Sequence, residues 1–407
     1  MDHLDLPQFL GLLVAILAAA KVFGALAQWI GQPAVLGELC AGVVLGGSVF
    51  GIVNPKTDVL HLLSELGVII LLFAIGLETD LKKLVKVGGA STVVALVGVA
   101  RPFALGYAVC LVLGLSVITA VMAGAALTAT SVGITARVLS DLNRLQETES
   151  QIVLGAAVID DVVGLVILAV VAGVARGEGI SAWGIASTTL IAFGFLAATL
   201  LLGRLIVPRV VKRLNKIDLP GTPTMVALIL AFGLAWLANY AGSATIIGAF
   251  AAGLLIRETP DAHEIERGIT TLGHFFVPLF FIVVGAAVDL AVFNPLHSEN
   301  HRTLVIGGAL IVAAVLGKFL AGYAPFWIRA DKRVIGVGMI PRGEVGLIFA
   351  QMGLTSGVFD AAMFSAVTLM VMVTTFIAPP LLKYLFPPVG PRHDKEVEAI
   401  EELVTEA

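Results

Sequence analysis

The sequence is poor in the charged residues that a water-soluble protein needs on its surface. Only 13% of its 407 residues are charged, whereas 58% are hydrophobic and the mean hydropathy is +1.01. Soluble domains carry about 25% charged residues, so this composition predicts a membrane protein. The net charge of −4 also excludes a strongly basic surface of the kind that binds nucleic acid.

Cysteine and N-terminal basic residues are scarce as well. The two cysteines, Cys40 and Cys110, lie in apolar stretches, which argues against a disulfide framework. The N-terminus reads MDHLDLPQF and has no basic segment, so we expect the first apolar run to be retained rather than cleaved as a signal peptide. No GxGxxG motif follows a strand pattern, which argues against a nucleotide-binding regulatory domain.

Long hydrophobic runs, in contrast, are abundant. A transmembrane helix needs about 20 mostly apolar residues. Splitting the chain at proline, glycine and charge clusters gives thirteen candidate spans, of which the second and ninth are short. Their limits are 7–30, 33–51, 59–79, 88–114, 117–140, 148–175, 181–209, 222–241, 244–257, 269–292, 302–327, 332–356 and 361–386.

The charges of the loops support this count and predict an orientation. With the N-terminus outside, eighteen Lys and Arg residues fall in inside loops or the C-terminal tail, and only Lys56, Arg176 and Arg302 fall outside. Positively charged loops normally stay in the cytoplasm. We therefore expect a multi-pass protein of the cell (inner) membrane, with an external N-terminus and a cytoplasmic C-terminus.

Several charges remain inside the spans. A charge in the membrane costs several kcal/mol unless it is paired or hydrated, so each is a functional candidate. Lys21 is an exception, because it lies where it can extend to the membrane surface. The other charged residues in the spans are Arg101, Lys318, Arg342, Glu38, Glu65, Asp160, Asp161 and Glu344.

Two spans are interrupted by polar residues or proline. The fifth contains LTATSVGIT (127–135) and the twelfth contains GVGMIPRGEVGL (336–347), seven spans later. An odd offset makes the second half an inverted repeat of the first. Paired interruptions in inverted halves indicate a transporter binding site. The same offset places the span of Asp160 and Asp161 opposite the thirteenth, and Lys318 opposite Arg101.

The residue types indicate which ligand such a site would take. Adjacent helical residues point about 100° apart, so one of the two aspartates can meet a cation while the other meets a base, for which Lys318 is available. Carboxylate, the hydroxyls of Thr130 and Ser131 and unwound carbonyls are hard oxygen donors, which favour an alkali cation or a proton. The residues do not separate lithium, sodium and potassium, and Thr128 is a further hydroxyl near them.

The other buried charges have less definite roles. We interpret Arg342 and Glu344 as structural, each neutralising the other or the end of a half-helix. Three interpretations of Arg101 stay open: a pair with Glu344, a pair with Glu38, or a water-filled crevice. Glu38 and Glu65 lie near span ends, where a structural or interfacial role is expected.

Five motifs, in order along nearly the whole chain, carry a resemblance to a known family. They are GAALTATSVGITARVL, LGAAVIDDVVGLVILAVV, IIGAFAAGLL, GKFLAG and PRGEVGLI. The sequence resembles the cation:proton antiporter superfamily, most closely the bacterial electrogenic sodium/proton antiporters of the NapA type. Arg101 and Thr128 depart from that pattern and are candidates to modify ion preference or pH dependence.

The resemblance implies an all-α fold of thirteen helices in inverted repeats, with two broken helices that cross. It implies a core domain (about 88–175 and 302–387) that moves like an elevator against a dimerisation domain (about 1–87 and 181–292), followed by a short cytoplasmic tail (388–407). Asp161 would be the main ion- and proton-binding carboxylate, with sodium held by Asp161 and Asp160. Asp160 would pair with Lys318 until sodium binds. Thr130 and Ser131 would lie at the first helix crossing, and Arg342 and Glu344 near the second.

These observations predict a homodimeric secondary antiporter and not an enzyme, with no cofactor beyond the transported sodium or lithium and protons. A potassium/proton exchanger of the same superfamily is the alternative. A channel or an organic-anion symporter is disfavoured by Lys318 beside paired acids. An intramembrane aspartyl protease is excluded, because its acids lie on separate helices and its GxGD signature is absent.

Overall fold

The computed structural model describes residues 5–55, 57–175, 182–214, 221–241, 244–288, 290–293 and 298–386. These ranges contain sixteen α-helices, one 3₁₀ turn (Leu290–Phe293) and no strand. The helices are α1 (Leu6–Trp29), α2 (Ala34–Leu45), α3 (Asp58–Glu78), α4 (Leu81–Lys86), α5 (Gly88–Val112), α6 (Val117–Ala126), α7 (Val132–Asp141), α8 (Thr148–Ala175), α9 (Ala182–Leu214), α10 (Thr222–Tyr240), α11 (Thr245–Arg257), α12 (Ala262–Ala286), α13 (Ser298–Ala321), α14 (Lys332–Gly338), α15 (Glu344–Thr355) and α16 (Ala361–Leu385).

The thirteen predicted spans follow these helices in order. Eleven spans form one helix each, and the two interrupted spans form the half-helix pairs α6 with α7 and α14 with α15. Within the described ranges, seven helices are long and apolar enough to cross a membrane, and four more are shorter and apolar. The chain is therefore an all-helical, multi-pass membrane protein, as the sequence predicts.

Several helix ends differ from the predicted limits. α12 begins at Ala262 rather than 269, because its charged first turns remain helical beyond the apolar segment. α13 ends at Ala321 rather than 327, where Gly322 and Pro325 follow. Hydropathy reports which residues lie in lipid, whereas glycine, proline and capping groups decide where a helix stops. The predicted tail 388–407 lies outside the described residues.

The short helix α4 is a feature that the sequence analysis did not predict. Its N-cap is Asp80, whose Oδ1 accepts from the backbone N–H groups of Lys82 and Lys83 over 2.8 and 3.3 Å. At six residues, three of them lysines, α4 is too short and too basic to be a span.

The packing of the helices repeats as a seven-span offset requires. Gly42 of α2 and Gly285 of α12 are in backbone contact, since a Cβ on either would lie within 2.3 Å of a carbonyl oxygen of the other helix. Gly76 of α3 and Gly253 of α11 form an equivalent contact, again at 2.3 Å. α11 is the counterpart of α2, and α12 that of α3, so one contact occurs twice. Small residues allow this approach between membrane helices.

The helices pack in two groups. The first group consists of α1, α2, α3, α10, α11 and α12, and the second consists of α5 to α8 and α13 to α16. α9 packs against members of both groups, namely α10 and α11 in the first and α8 in the second. Smaller contacts join the groups, among them those of α7 with α2 and α3. Any site between α3 or α11 and α8 therefore lies at the junction of the two groups.

The two broken spans cross inside the second group. The backbone N–H of Ser131 donates to the carbonyl oxygen of Pro341 over 2.8 Å. A Cβ on Gly343 would lie 2.7 Å from Oγ of Ser131, so only glycine allows this approach. Non-helical backbone at membrane depth is tolerated where it is buried in protein or lines a cavity. The unwound segments 127–131 and 339–343 satisfy part of their polar backbone through each other.

Candidate functional site

A fully buried ion pair joins α8 to α13. The ammonium Nζ of Lys318 donates to Oδ2 of Asp160 over 2.9 Å, and neither side chain has exposed surface. The other carboxylate oxygen of Asp160 has no hydrogen-bond partner among the described residues. Burying two charges is costly, and their attraction offsets this cost only while both partners remain. The pair is therefore a strong candidate for function.

Small residues on α5 and α13 make room for this pair. A Cβ on Gly98 of α5 would lie 3.5 Å from both Cδ and Nζ of Lys318, so the lysine packs directly against the glycine backbone. Gly317, the residue before Lys318, packs more closely still against Pro102, whose nearest atoms would lie 2.8–2.9 Å from an added Cβ. The close approach of α5 and α13 keeps the lysine away from lipid and directs it to α8.

Asp161 lies beside the ion pair but lines a cavity. The cavity has a volume of about 260 Å³ and separates α3 and α11 from α8 and α15. Asp161 itself is 7% exposed. Glu65 of α3 also lines the cavity, and its side chain is 59% exposed, so the cavity reaches the surface there. The remaining lining residues are Val68, Ile69, Gly164, Ala244, Thr245, Ile246, Val345 and Ile348.

The predicted hydroxyl donors lie at the helix crossing. Oγ1 of Thr130 donates to the carbonyl oxygen of Met339 over 3.4 Å. Oγ of Ser131 is buried and has no hydrogen-bond partner in the described part of the chain. Thr128 donates instead to the carbonyl oxygen of Ala125 within its own half-helix, over 2.7 Å. Thr130 and Ser131 thus line the crossing, whereas the Thr128 hydroxyl is used locally.

Arg342 is completely buried at the end of the half-helix α6. Its Nη1 donates to the carbonyl oxygens of Ala129 and Thr128, over 2.7 and 3.3 Å. These two carbonyls belong to the unwound segment just beyond the end of α6, where carbonyl groups lack helical partners and the helix end carries partial negative charge. Arg342 supplies both a donor and a positive charge there, which is one of the two structural roles that its sequence context suggested. Glu344 begins α15, and its side chain lies outside the described part of the structure.

The buried charges form one electrostatic cluster. Lys318 interacts with both aspartates and with Arg342, and Arg342 interacts with Asp160. Two acids and two bases of opposite sign therefore balance one another when all four are ionised. A cation that entered this cluster, or a proton that left it, would disturb that balance.

Arg101 is placed differently from the other charges in the spans. It lies exposed on α5, and its Nη1 donates to the carbonyl oxygen of Leu320 over 3.0 Å. Glu38, one of its suggested partners, instead lies 3.9 Å from Arg137 of α7, measured from Oε1 to Nη2. Arg137 also pairs with Asp141 at 3.1 Å.

Two polar residues near the site were not predicted to lie there. Glu65 was expected to have a structural or interfacial role, but it lines the same cavity as Asp161. Thr375 of α16 donates from its hydroxyl to the carbonyl oxygen of Arg342 and is buried. Two adjacent threonines, Thr374 and Thr375, in an otherwise apolar helix are a sequence signal that could have identified Thr375. No local signal could place Glu65 opposite Asp161.

Crossed, unwound helices beside a buried Asp–Lys pair and an accessible aspartate define a class of membrane transporters, the cation/proton antiporters, and not an enzyme. Comparison with known proteins agrees with this class. The family model described as sodium/hydrogen exchanger, transmembrane, matches residues 12–386. The chain belongs to this sodium/hydrogen exchanger family, whose members carry cations and protons across membranes.

Characterised relatives match over most of their length. The chain is 41% identical to the high-affinity Na⁺/H⁺ antiporter NhaS3 of Synechocystis, over 92% of this chain and 89% of that protein. It is 36% identical to the Na⁺/H⁺-K⁺ antiporter GerN of Bacillus cereus, over 93% and 96%. A Na⁺/H⁺ antiporter of Enterococcus hirae is 33% identical, over 93% and 98%.

A solved structure has the same fold. The sodium proton antiporter MjNhaP1 of Methanocaldococcus jannaschii superposes with a TM-score of 0.66, covering 93% of this chain and 96% of that one. The two sequences are 17% identical, so this likeness bears on the fold alone.

Proposed function

We propose that the chain exchanges sodium, or lithium, for protons, and that each cycle moves net charge across the membrane. The observation that carries this proposal is Asp161 in a surface-connected cavity, next to the buried pair of Asp160 and Lys318. Oxygen donors and the absence of thiolate or imidazole from these residues favour an alkali cation. The relatives named for sodium/proton exchange support sodium as the substrate.

Asp161 acts as the principal binding carboxylate for the cation and the proton. It lines the cavity, whereas Oδ2 of Asp160 already accepts from Lys318. Sodium arriving at Asp161 draws the carboxylate of Asp160 away from Lys318, so that both aspartates hold the ion. The hydroxyls of Thr130 and Ser131 and the unwound backbone at the crossing complete the polar surroundings of the ion.

A charge count shows how such exchange becomes electrogenic. In the proton-loaded cluster, Asp161 is protonated and Lys318 is an ammonium paired with Asp160. In the sodium-loaded cluster, both acids are ionised and Lys318, released from its partner, has given up its proton. Two protons then replace one sodium ion, and the protonated cluster carries one more positive charge. Moving that charge is worth about 2.3 kcal/mol per 100 mV.

Alternating access follows from the two groups of helices. The second group is proposed to be the moving core and the first group to be the scaffold through which a homodimer forms. The cavity beside Asp161 opens between the groups toward the N-terminal half of α3. With the proposed external N-terminus, this is the outer side of the cell (inner) membrane. At the other end, Glu38 pairs with Arg137, and Nε2 of Gln146 donates to the carbonyl oxygen of Glu78.

Proton flux into reconstituted vesicles tests the proposal. Sodium, lithium and potassium gradients would be applied to the purified protein, with and without a clamped membrane voltage. We expect sodium and lithium to drive proton movement, and an inside-negative voltage to accelerate proton entry. Equal responses to potassium and sodium would favour the potassium/proton alternative. Potassium is tested because one relative is named as a Na⁺/H⁺-K⁺ antiporter. Indifference to voltage would contradict electrogenic exchange.

A further inference from the structure

Arg101 is a cation on the outer surface of the second helix group whose donors are largely unused. It is exposed, and its one hydrogen bond to a described residue is the 3.0 Å contact of Nη1 with the carbonyl oxygen of Leu320. A guanidinium has five N–H donors in a planar fork. It makes no ion pair with a described residue. A charge on the surface of a membrane span is costly without a partner, so a group that meets the remaining donors would stabilise it.

The depth of Arg101 follows from the helix that it contacts. Leu320 is the second-last residue of α13. Gly322, which follows the helix, packs against Lys332, the first residue of α14: a Cβ on Gly322 would lie 2.3 Å from the carbonyl oxygen of Lys332. The N-cap of α14, Asp331, donates from its backbone N–H to Glu149 in the first turn of α8 over 2.8 Å. Three helix ends therefore meet at one membrane surface, and the guanidinium of Arg101, the fourteenth residue of α5, reaches the last turn of α13 next to it.

The segment after α13 has the composition of a membrane interface. Tyr323, Phe326 and Trp327 are 45%, 83% and 53% exposed. Aromatic side chains gather at the level of lipid headgroups. Arg329, which follows them, is also exposed. A positively charged, aromatic-rich surface at this level matches a phosphate above acyl chains, because arginine binds phosphate oxygens in pairs.

We propose that Arg101 and the segment that follows Leu320, with its exposed residues Tyr323, Phe326, Trp327 and Arg329, bind the headgroup phosphate of an anionic phospholipid. Arg101 binds the phosphate with the donors that Leu320 leaves unused, and the aromatic side chains contact the glycerol and upper acyl chains. Two contacts couple this site to the buried ion pair. Leu320, which Arg101 binds, is two residues from Lys318. Gly98, one helical turn before Arg101, packs against the side chain of Lys318. Bound lipid therefore stabilises the packing of α5 against α13.

The experiment measures lipid-dependent melting of the purified full-length chain in detergent. Phosphatidylglycerol is compared with phosphatidylcholine and with soluble glycerol phosphate, for the wild type, Arg101→Leu and a matched control, Arg302→Leu. Arg302 is an exposed arginine in the first turns of α13, the helix that Arg101 contacts, and it pairs with Asp360 at 3.0 Å. Native mass spectrometry of the same samples counts bound lipids.

We expect phosphatidylglycerol to raise the melting temperature of the wild type and of Arg302→Leu by several degrees, and that of Arg101→Leu by less than half as much. Arg101→Leu should also lose one bound lipid. Equal lipid responses in all three proteins would overturn the proposal, as would an equal shift with glycerol phosphate. Dissociation of a dimer in Arg101→Leu with an unchanged lipid response would show that a second copy covers the arginine instead. If Arg101→Leu does not fold, Arg101→Gln, which keeps a donor for Leu320, gives the same test.

Discussion

The sixth and thirteenth spans have equivalent places in the two repeats, but only one of them carries acids. Asp160 and Asp161 are the thirteenth and fourteenth residues of α8, and Thr374 and Thr375 are the fourteenth and fifteenth of α16. The hydroxyl of Thr374 donates to the carbonyl oxygens of Met370 and Val371. The hydroxyl of Thr375 donates to the carbonyl oxygen of Arg342. The aspartates meet a lysine and a cavity instead. The helix framework thus occurs twice in the repeats, whereas the pair of adjacent acids occurs once.

The fourth and eleventh spans differ in the same way. Each carries one cation beside a small residue or proline, and the two helices pack against each other. Lys318 of α13 points inward to Asp160, whereas Arg101 of α5 lies on the outer surface and binds a carbonyl oxygen. The two spans are counterparts in the inverted repeats, but Lys318 is the twenty-first residue of α13 and Arg101 the fourteenth of α5, and only Lys318 reaches Asp160.

The largest expected effect comes from removing the accessible acid. Asp161→Asn keeps the shape of the side chain but cannot ionise, so it can neither release a proton nor neutralise sodium. We expect sodium-driven proton flux in vesicles to fall to the level of protein-free vesicles, with the melting temperature close to that of the wild type. Retained exchange at normal sodium affinity would contradict the assignment of Asp161.

The next effect concerns stability. Lys318→Gln leaves the fully buried Asp160 without its charged partner, and breaking a buried pair costs about 3–5 kcal/mol. We expect a clearly lower melting temperature in detergent and a changed response of transport to voltage. The double variant Asp160→Asn/Lys318→Gln removes both charges and should recover most of the lost stability. Single variants that melt like the wild type would show that the pair contributes little.

A smaller effect is expected where the two helix groups meet. Glu38→Gln weakens the contact with Arg137, which lies on the side away from the cavity. A loss of about 1 kcal/mol from this contact shifts the balance between two arrangements of the helix groups about fivefold. In a chain with Cys40→Ala and Cys110→Ala, a cysteine introduced by Ile348→Cys in the cavity should then react more slowly with a water-soluble maleimide.

Glu147→Gln is the control for this labelling experiment. Its ion pair with Arg144, at 3.6 Å, lies within the second group. If Glu38→Gln and Glu147→Gln change the labelling rate equally, the contact between Glu38 and Arg137 does not hold the groups in this arrangement.

The smallest effect is expected at the threonines. Thr375→Val removes one buried hydrogen bond to the carbonyl oxygen of Arg342, a loss of about 1 kcal/mol. We expect a slightly lower melting temperature and sodium-driven flux within about fivefold of the wild type, since about 1 kcal/mol changes a rate by about fivefold at most. Abolished flux in Thr375→Val would place this threonine in the ion site and weaken the contrast between the two repeats.

The number and order of the spans could be predicted because apolar length and loop charge are properties of local sequence. The start of α12 and the end of α13 could not be predicted in this way. Ala262, where α12 begins, lies in a charged segment, and Ala321, where α13 ends, precedes a glycine that packs on α14. Capping and close backbone contacts decide such ends, and neither changes the hydropathy. The paired interruptions predicted two broken helices at a binding site, and the resemblance to the antiporter superfamily implied that these helices cross.

The candidate site could be predicted in its residues but not in its division of roles. Spacing alone left open which of Asp160 and Asp161 meets Lys318, because adjacent helical residues point apart and the rotation of α8 is set by its neighbours. The surroundings of Arg101 and Glu65 were equally out of reach. Whether a charge near a span end faces a cavity, a carbonyl oxygen or lipid depends on the packing of a helix far away in sequence.

Sodium-jump currents from vesicles adsorbed on a solid-supported membrane test the central claim most directly, namely that one aspartate carries the ion and its neighbour holds the lysine. A jump in sodium concentration should give a transient current in the wild type and in Asp160→Asn, with an altered amount of displaced charge in the latter, and none in Asp161→Asn. A current from Asp161→Asn equal to that of the wild type would contradict the account.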